Sequence, residues 1–243
     1  MSQVILNIDD GIATVTVNRP RVMNALNLET VREIGRAFQQ IEEDPSVVVA
    51  VLTGAGDQAF IGGADISLFL SLDQNTAQMG SQLGQRVCDT IAYCSVPVIA
   101  AVNGIAYGGG MEFALACDIR LASENAVFGQ LEVKWGNLPG WGGTQRLPWL
   151  VSRSDAMRII LSGEPFSAAE AYRMGLVSAV YPPSEFHQQV YRLARQIAKN
   201  GPLNIRLAKK AVAEGARYVS PAGLALENEL FGRCFTSEEP RQR

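Results

Sequence analysis

Val102-Asn-Gly-Ile-Ala-Tyr-Gly-Gly-Gly-Met-Glu-Phe-Ala-Leu-Ala-Cys-Asp118 is the stretch on which the reading of this chain turns. The apolar run Val96 to Val102 reads as a buried strand, three successive glycines form a loop, and the Ala/Leu/Met/Phe-rich segment after them reads as a short helix. The glycines therefore sit at a helix N-terminus. Without a Cβ they let a ligand approach the backbone, and the unpaired N–H groups of a first helical turn favour negative charge there. Within that first turn Glu112 is an acid flanked by apolar residues, a costly place for a carboxylate without a partner or a task. Taken alone, the stretch also fits glycines that allow tight helix–sheet packing and a Glu112 that caps or pairs locally.

Two nucleotide motifs fail. The glycines of Gly104 to Gly110 lack the Gly-Lys-Ser/Thr ending of a phosphate loop and do not fit G-x-G-x-x-G. Gly54-Ala-Gly-Asp-Gln-Ala59 matches G-x-G-x-x-A in letters, but a dinucleotide motif must open a helix, and here a second glycine-rich loop, Phe60-Ile-Gly-Gly-Ala-Asp65, follows.

Outward from the centre, the chain reads as a β/α front and an α-helical rear. Gln3 to Ile8 and Ile12 to Val17 alternate around Asp9-Asp-Gly11 and predict a hairpin. Asn27 is a fitting N-cap for a helix ending near Pro45, Val47 to Thr53 reads as a buried strand, and a helical pattern runs from Asn75 to Tyr93. Short strands are expected at Ile119 to Ala122 and Ala126 to Phe128, and from Gln145 onward nearly everything reads as helix.

With 243 residues, 47% of them hydrophobic and 19% charged, the chain can bury a full core without staples. A net charge of −3 argues against a broad nucleic-acid or anionic-membrane surface. No apolar run nears the length of a membrane span, and the start lacks the order of a signal peptide, so a cytoplasmic protein is expected. Cys88, Cys94, Cys117 and Cys234 show no C-x-x-C spacing, so free thiols and no metal site are expected. The single histidine, His187, lies in an amphipathic segment with no nucleophile elbow to serve and reads as a surface residue.

Four glycine-framed stretches then fall in order: Gly62-Gly-Ala-Asp-Ile66, Asn103-Gly-x-Ala-x-Gly-Gly-Gly-x-Glu112, Phe128-Gly-Gln-x-Glu132 and Pro139-Gly-x-Gly-Gly-Thr-Gln-Arg-Leu147. Together, from Asn18-Arg-Pro to Phe235, they resemble the enoyl-CoA hydratase/isomerase, or crotonase, family. The resemblance implies an α/β crotonase-like spiral of strand-strand-helix units over residues 1–190, carrying the acyl-CoA site. It also implies a helical region over 191–243 used in a homotrimer or homohexamer. It further implies an oxyanion hole from the N–H groups of Ala64 and Gly109, acid/base carboxylates Glu112 and Glu132, and a water held by the N–H of Gly140. CoA would lie near Arg21, Ala25, Leu26, Gly62, Ala64, Asp65 and Ile66. CoA enters as part of the substrate, and no cofactor or metal is expected. Ser67 stands where the family has a basic residue, which leaves Arg19 and Arg21 as candidates for the CoA phosphates. The stretch after Phe235 is also shorter than the family's further helix. For Asp118 and Arg146 the favoured reading is charge pairing beneath the site, and for Trp141 packing or pocket wall.

The implied activity is reversible hydration of a trans-2-enoyl-CoA. An isomerase would need only one carboxylate, and a non-catalytic acyl-CoA binder would have no reason to keep both.

Overall fold

The computed structural model describes residues 2–65, 73–214 and 221–234. The chain opens with β1 (Val4–Asp9) and β2 (Ile12–Val17), an antiparallel hairpin in register from Val4 against Val17 to Asp9 against Ile12. Asp10 and Gly11 both take positive φ, 46° and 74°, as a two-residue turn matched to strand twist requires. α1 (Leu28–Glu43) starts at Asn27, whose side chain accepts from the Thr30 N–H, and buries Val31, Ile34, Phe38 and Ile41 along one stripe.

Three units then repeat one pattern. β3 (Val49–Gly54), β4 (Ala59–Ile61) and α2 (Gln74–Ala92) form the first, and β5 (Val98–Val102), β6 (Ile105–Tyr107) and α3 (Gly109–Ala116) the second. β7 (Ile119–Ser123), β8 (Val127–Gly129), a 3₁₀ turn over Glu132–Trp135 and α4 (Gly143–Leu150) form the third. The rear comprises α5 (Arg153–Ser162), β9 (Phe166–Ser167), α6 (Ala168–Arg173), β10 (Ala179–Tyr181), α7 (Pro183–Ala198), α8 (Pro202–Glu214) and α9 (Pro221–Cys234).

The first strand of each unit enters one sheet, ordered β1-β2-β3-β5-β7-β10, and the second enters another, ordered β4-β6-β8-β9. From β2 onward the larger sheet is parallel, as are β4, β6 and β8. Each unit is therefore one turn of a spiral stacked on the last. Such strands are covered on both faces, which explains why β3 and β5 are buried throughout and read as unbroken apolar runs. One face packs against α1, α2 and α3. The other, with Ile12, Val49, Val51, Ile99, Ala101 and Leu121, receives Phe186, Val190 and Ala194 of α7.

The largely helical rear is interrupted by β9 and β10, which at two and three residues are too short to display an alternating pattern. Residue 190 lies inside α7, which packs on the sheet it covers. β4 follows the Gly54 to Gly56 loop where a dinucleotide motif would need a helix. Ile66, Ser67 and the segment from Phe235 on lie outside the described residues. Among the described residues no helix is long and apolar enough to cross a membrane.

Close backbone approach sets the position of α3. A Cβ on Gly110 would lie 2.1 Å from the Ile61 carbonyl oxygen, and one on Gly104 would lie 2.4 Å from that of Gln58, so both must be glycine for the second unit to seat on β4.

Candidate active site

Glu112 enters the core because its helix does: every residue of α3 is buried, and Glu112 is 2% exposed. Its Oε1 accepts from the backbone N–H groups of Trp141 and Gly143, both at 2.7 Å. The carboxylate is therefore held by the loop that opens α4, and the local-cap reading does not hold. Burial pushes its pKa up to about 7, against the lowering effect of the Gly143 and Trp141 N–H groups and of Arg146.

Glu132 opens the 3₁₀ turn after β8 and turns back toward the start of α3. A Cβ on Gly108 would lie 3.1 Å from its Oε1, and Gly108 has φ +50°, so conformation and space both call for glycine there. Burial, and then the charge of Glu112, push Glu132 up to about 8. Because the charge of Glu112 is one cause of the Glu132 shift, the two titrations are coupled, with Glu112 the first to ionise.

Sequence reasoning quoted Gln130 only as a letter in a motif. It is fully buried, and with its amide nitrogen turned to Glu132, the orientation that satisfies both ends of the amide, it donates to Oε1 at 2.9 Å and Oε2 at 3.0 Å. The sequence offers only an amide two residues before the acid, just past the end of β8, and nothing there announces its burial.

Gly109 opens α3, where a first-turn N–H has no acceptor within the helix. Ala64 pairs with Leu26 in a short parallel bridge: Leu26 N–H donates to Gly63 O at 2.8 Å and Asp65 N–H to Leu26 O at 2.8 Å. Alternation along the strand then turns the N–H of Ala64 away from that pairing. A Cβ on Gly63 would lie 3.2 Å from Tyr107 O, so this strand runs close beside the loop that begins α3. Gly140 lies one residue before the Trp141 donor, and its carbonyl faces α2, accepting from Ser81 Oγ at 2.6 Å.

The other expected contacts fall on one edge. Gly62 N–H donates to Met23 O at 2.8 Å, which joins the segment carrying Gly62 to the one carrying Ala25 and Leu26. Arg21 is exposed and, with Met23, Gly56 and Asp57, lines a surface cavity of about 410 Å³. Arg19 is engaged within the protein, paired with Asp65 at 3.8 Å and donating to Ala25 O. Asp118 pairs with Lys209 at 2.7 Å and Arg146 with Asp89 at 2.5 Å, so both are structural pairs. The Trp141 ring packs against Phe113 with centroids 5.8 Å apart. His187 is exposed on α7, and Cys88, Cys94 and Cys117 are free and buried. Among the described residues no group of His, Cys, Asp and Glu is arranged to hold a metal ion.

The enoyl-CoA hydratase/isomerase family model matches residues 7–242. The chain belongs to that family. It is 42% identical over 241 residues to the short-chain-enoyl-CoA hydratase of Clostridium acetobutylicum, covering 99% of this chain and 92% of that protein. It is 41% identical over 239 residues to the crotonyl-CoA hydratase of Syntrophomonas wolfei, covering 98% of this chain and 92% of the relative. The crystal structure of an enoyl-CoA hydratase from Bacillus anthracis superposes with a TM-score of 0.95 at 33% identity, covering 99% of this chain and 94% of that one. Neighbours of this kind have the crotonase fold, and the spiral described above is that fold in this member of the family.

The raised carboxyls carry a stability consequence. A folded-state pKa above the unfolded value means the folded protein binds more protons, so the contribution is full below about 4.5 and is lost as pH rises through about 7 for Glu112 and about 8 for Glu132. Glu112→Gln and Glu132→Gln should therefore gain thermal stability over the parent, slightly at pH 5 and by several degrees at pH 9, as read by calorimetry. A gain independent of pH would mean that these carboxyls ionise at ordinary values.

Proposed function

We propose that the chain catalyses the reversible addition of water to a trans-2-enoyl-CoA, giving the 3-hydroxyacyl-CoA. The observation that carries this is the pair of carboxyls, buried Glu112 held by two backbone N–H groups and half-buried Glu132 held by Gln130, both pushed up toward neutrality. Relatives named short-chain-enoyl-CoA hydratase and crotonyl-CoA hydratase support the same reading.

Each group has a task in that reaction. Ionised Glu112 takes a proton from water as the water oxygen bonds to C3, and protonated Glu132 gives its proton to C2. The C2=C3 electron pair is displaced toward the thioester carbonyl, whose developing oxyanion is received by the N–H groups of Ala64 and Gly109. The proton ends on the other carboxyl, and transfer between the two resets the pair. Losing one oxyanion donor of this kind typically costs about 3 kcal/mol in barrier height. The N–H of Gly140 helps hold the reacting water. No cofactor is needed, since CoA arrives with the substrate.

For CoA we assign the edge formed by Arg21, Ala25, Leu26, Gly62, Ala64 and Asp65; the family resemblance adds Ile66 to this set. With Arg19 committed to Asp65 and Ala25, Arg21 is the cation left for a CoA phosphate. The assembly is assigned as a homotrimer or homohexamer, supported by large apolar side chains exposed on the rear helices, Leu161, Leu224 and Phe231 among them. Light scattering at micromolar concentration should give a multiple of three, and a monomeric mass would refute it.

Purified protein should consume crotonyl-CoA with loss of the enoyl-thioester absorbance. Glu112→Gln should lower that rate by about 10² to 10⁴, the usual contribution of an acid/base group, while acyl-CoA still binds. An isomerase needs only one proton carrier, so near-parental hydration by Glu112→Gln would bring that reading forward. Arg21→Ala should raise KM for the acyl-CoA with kcat nearly unchanged, the pattern of lost uniform binding. An unchanged KM would remove Arg21 from the site.

A further inference from the structure

The two amides that hold Glu112 belong to peptide units whose carbonyl ends are tied elsewhere. Gly140 C=O and Trp141 N–H share one planar unit and point in opposite directions, so whatever holds the oxygen aims the hydrogen. The Gly140 oxygen accepts from Ser81 Oγ at 2.6 Å and from Gln85 Nε2 at 3.0 Å, both on α2. Gly142 C=O and Gly143 N–H share another unit, and the Gly142 oxygen accepts from the N–H groups of Gln145 and Arg146 at 3.0 and 2.8 Å, inside α4 itself. The Gly143 donor is thus fixed by its own helix, whereas the Trp141 donor depends on α2.

α2 is built for the task along a single face. Ser81, Gln85 and Asp89 recur every four residues, which stacks them on one side of a helix. Asp89 closes the row by pairing with Arg146, whose Nη1 donates to Trp141 O at 3.0 Å. Between these residues Gly84 makes room for the indole: a Cβ there would lie 2.2 Å from the Trp141 ring. Trp141 is thereby held by the carbonyl before it, by its own carbonyl and by its ring, which leaves its N–H one direction to point.

We propose that Ser81 and Gln85 are positioning residues for Glu112, acting through the Gly140–Trp141 peptide to keep one of its two donors aimed at Oε1. The proposal rests on the reading of Glu112 as the group that activates water. The charged and titratable groups around Glu112 are Glu132 from the 3₁₀ turn, Cys88 from α2 and Arg146 from α4. None of these is altered by changes at residues 81 and 85. Without Ser81 and Gln85 the Gly140–Trp141 peptide loses both ties on its carbonyl and can rotate, so the Trp141 N–H meets Oε1 less well; Glu112 then has a weaker hydrogen bond favouring its charged form and ionises at higher pH.

The test is Ser81→Ala/Gln85→Met beside Ser81→Thr, which keeps the hydroxyl. Both new residues of the double variant suit a helix at least as well as the originals, so α2 is retained. In the double variant kcat for crotonyl-CoA should fall about tenfold, the scale of one hydrogen bond to a charged group, with KM little changed. The acid limb of its pH profile should move upward, and Ser81→Thr should keep both rate and limb near those of the parent. A fall in kcat with the limb unmoved would show a merely structural role and overturn the proposal, as would an unchanged rate. A second readout needs no turnover: in ¹⁵N-labelled protein the Trp141 amide resonance reports ionisation of the carboxyl it touches. Its midpoint should rise in the double variant, and an unmoved midpoint refutes the proposal whatever the enzyme hydrates. Absence of hydration by the parent protein would instead count against the function proposed above.

Discussion

Burying a carboxylate at the first turn of a buried helix is the constraint from which the rest of this structure follows. Glu112 is surrounded by the core, and an unpaired charge there would be expelled or neutralised. Two backbone N–H groups meet it at 2.7 Å, and because both come from a loop rather than from side chains, the loop's path is dictated by the acid. The glycines around it follow. Gly143 must bring its own backbone to Oε1, and a Cβ on it would sit 3.0 Å from that atom. Gly108 and Gly110 let the helix start approach Glu132 on one side and β4 on the other. Because the donors do not fully repay the burial, the carboxyl remains poised near neutrality instead of ionising like a surface acid.

This poise is a cost in stability that serves chemistry. Glu132 feels the like charge of Glu112 and is held in place by the buried Gln130 amide, while Glu112 is held by two backbone N–H groups. The spiral supplies that rigidity. Its two sheets receive alternate strands of successive units, so the end of β6 passes directly into α3, while the connection from β8 to α4 carries Glu132 and Trp141.

Much of this was legible in the sequence, and what was not has physical reasons. The hairpin, α1, α2 and the strand–glycine–helix centre were readable because each carries a local signal: turn residues, an N-cap, an amphipathic stripe or an unbroken apolar run. β4, β6, β9 and β10 were not, because each is only two or three residues long and is made by its neighbours. The two acids stood out by charge in apolar company, but their partners did not. Trp141 and Gly143 contribute only backbone, which any residue has, and Ser81 and Gln85 look like ordinary polar positions on the outer face of a helix. Gln130 shows the same limit, since a buried amide can be recognised only once the strand end places it against Glu132. Local pattern reveals elements and unusual residues, while the contacts that tune them are decided by the tertiary path.

The most direct test of the account is to count protons on the pair. Protein carrying ¹³C at the glutamate side-chain carboxyls, compared with Glu112→Gln and Glu132→Gln to assign the signals, gives each titration by NMR. The account predicts that Glu112 and Glu132 titrate near 7 and 8, with removal of Glu112 lowering the midpoint of Glu132. Midpoints for both near the ordinary value of 4.5 would contradict it, because the pair would then hold no proton at neutral pH to deliver to carbon.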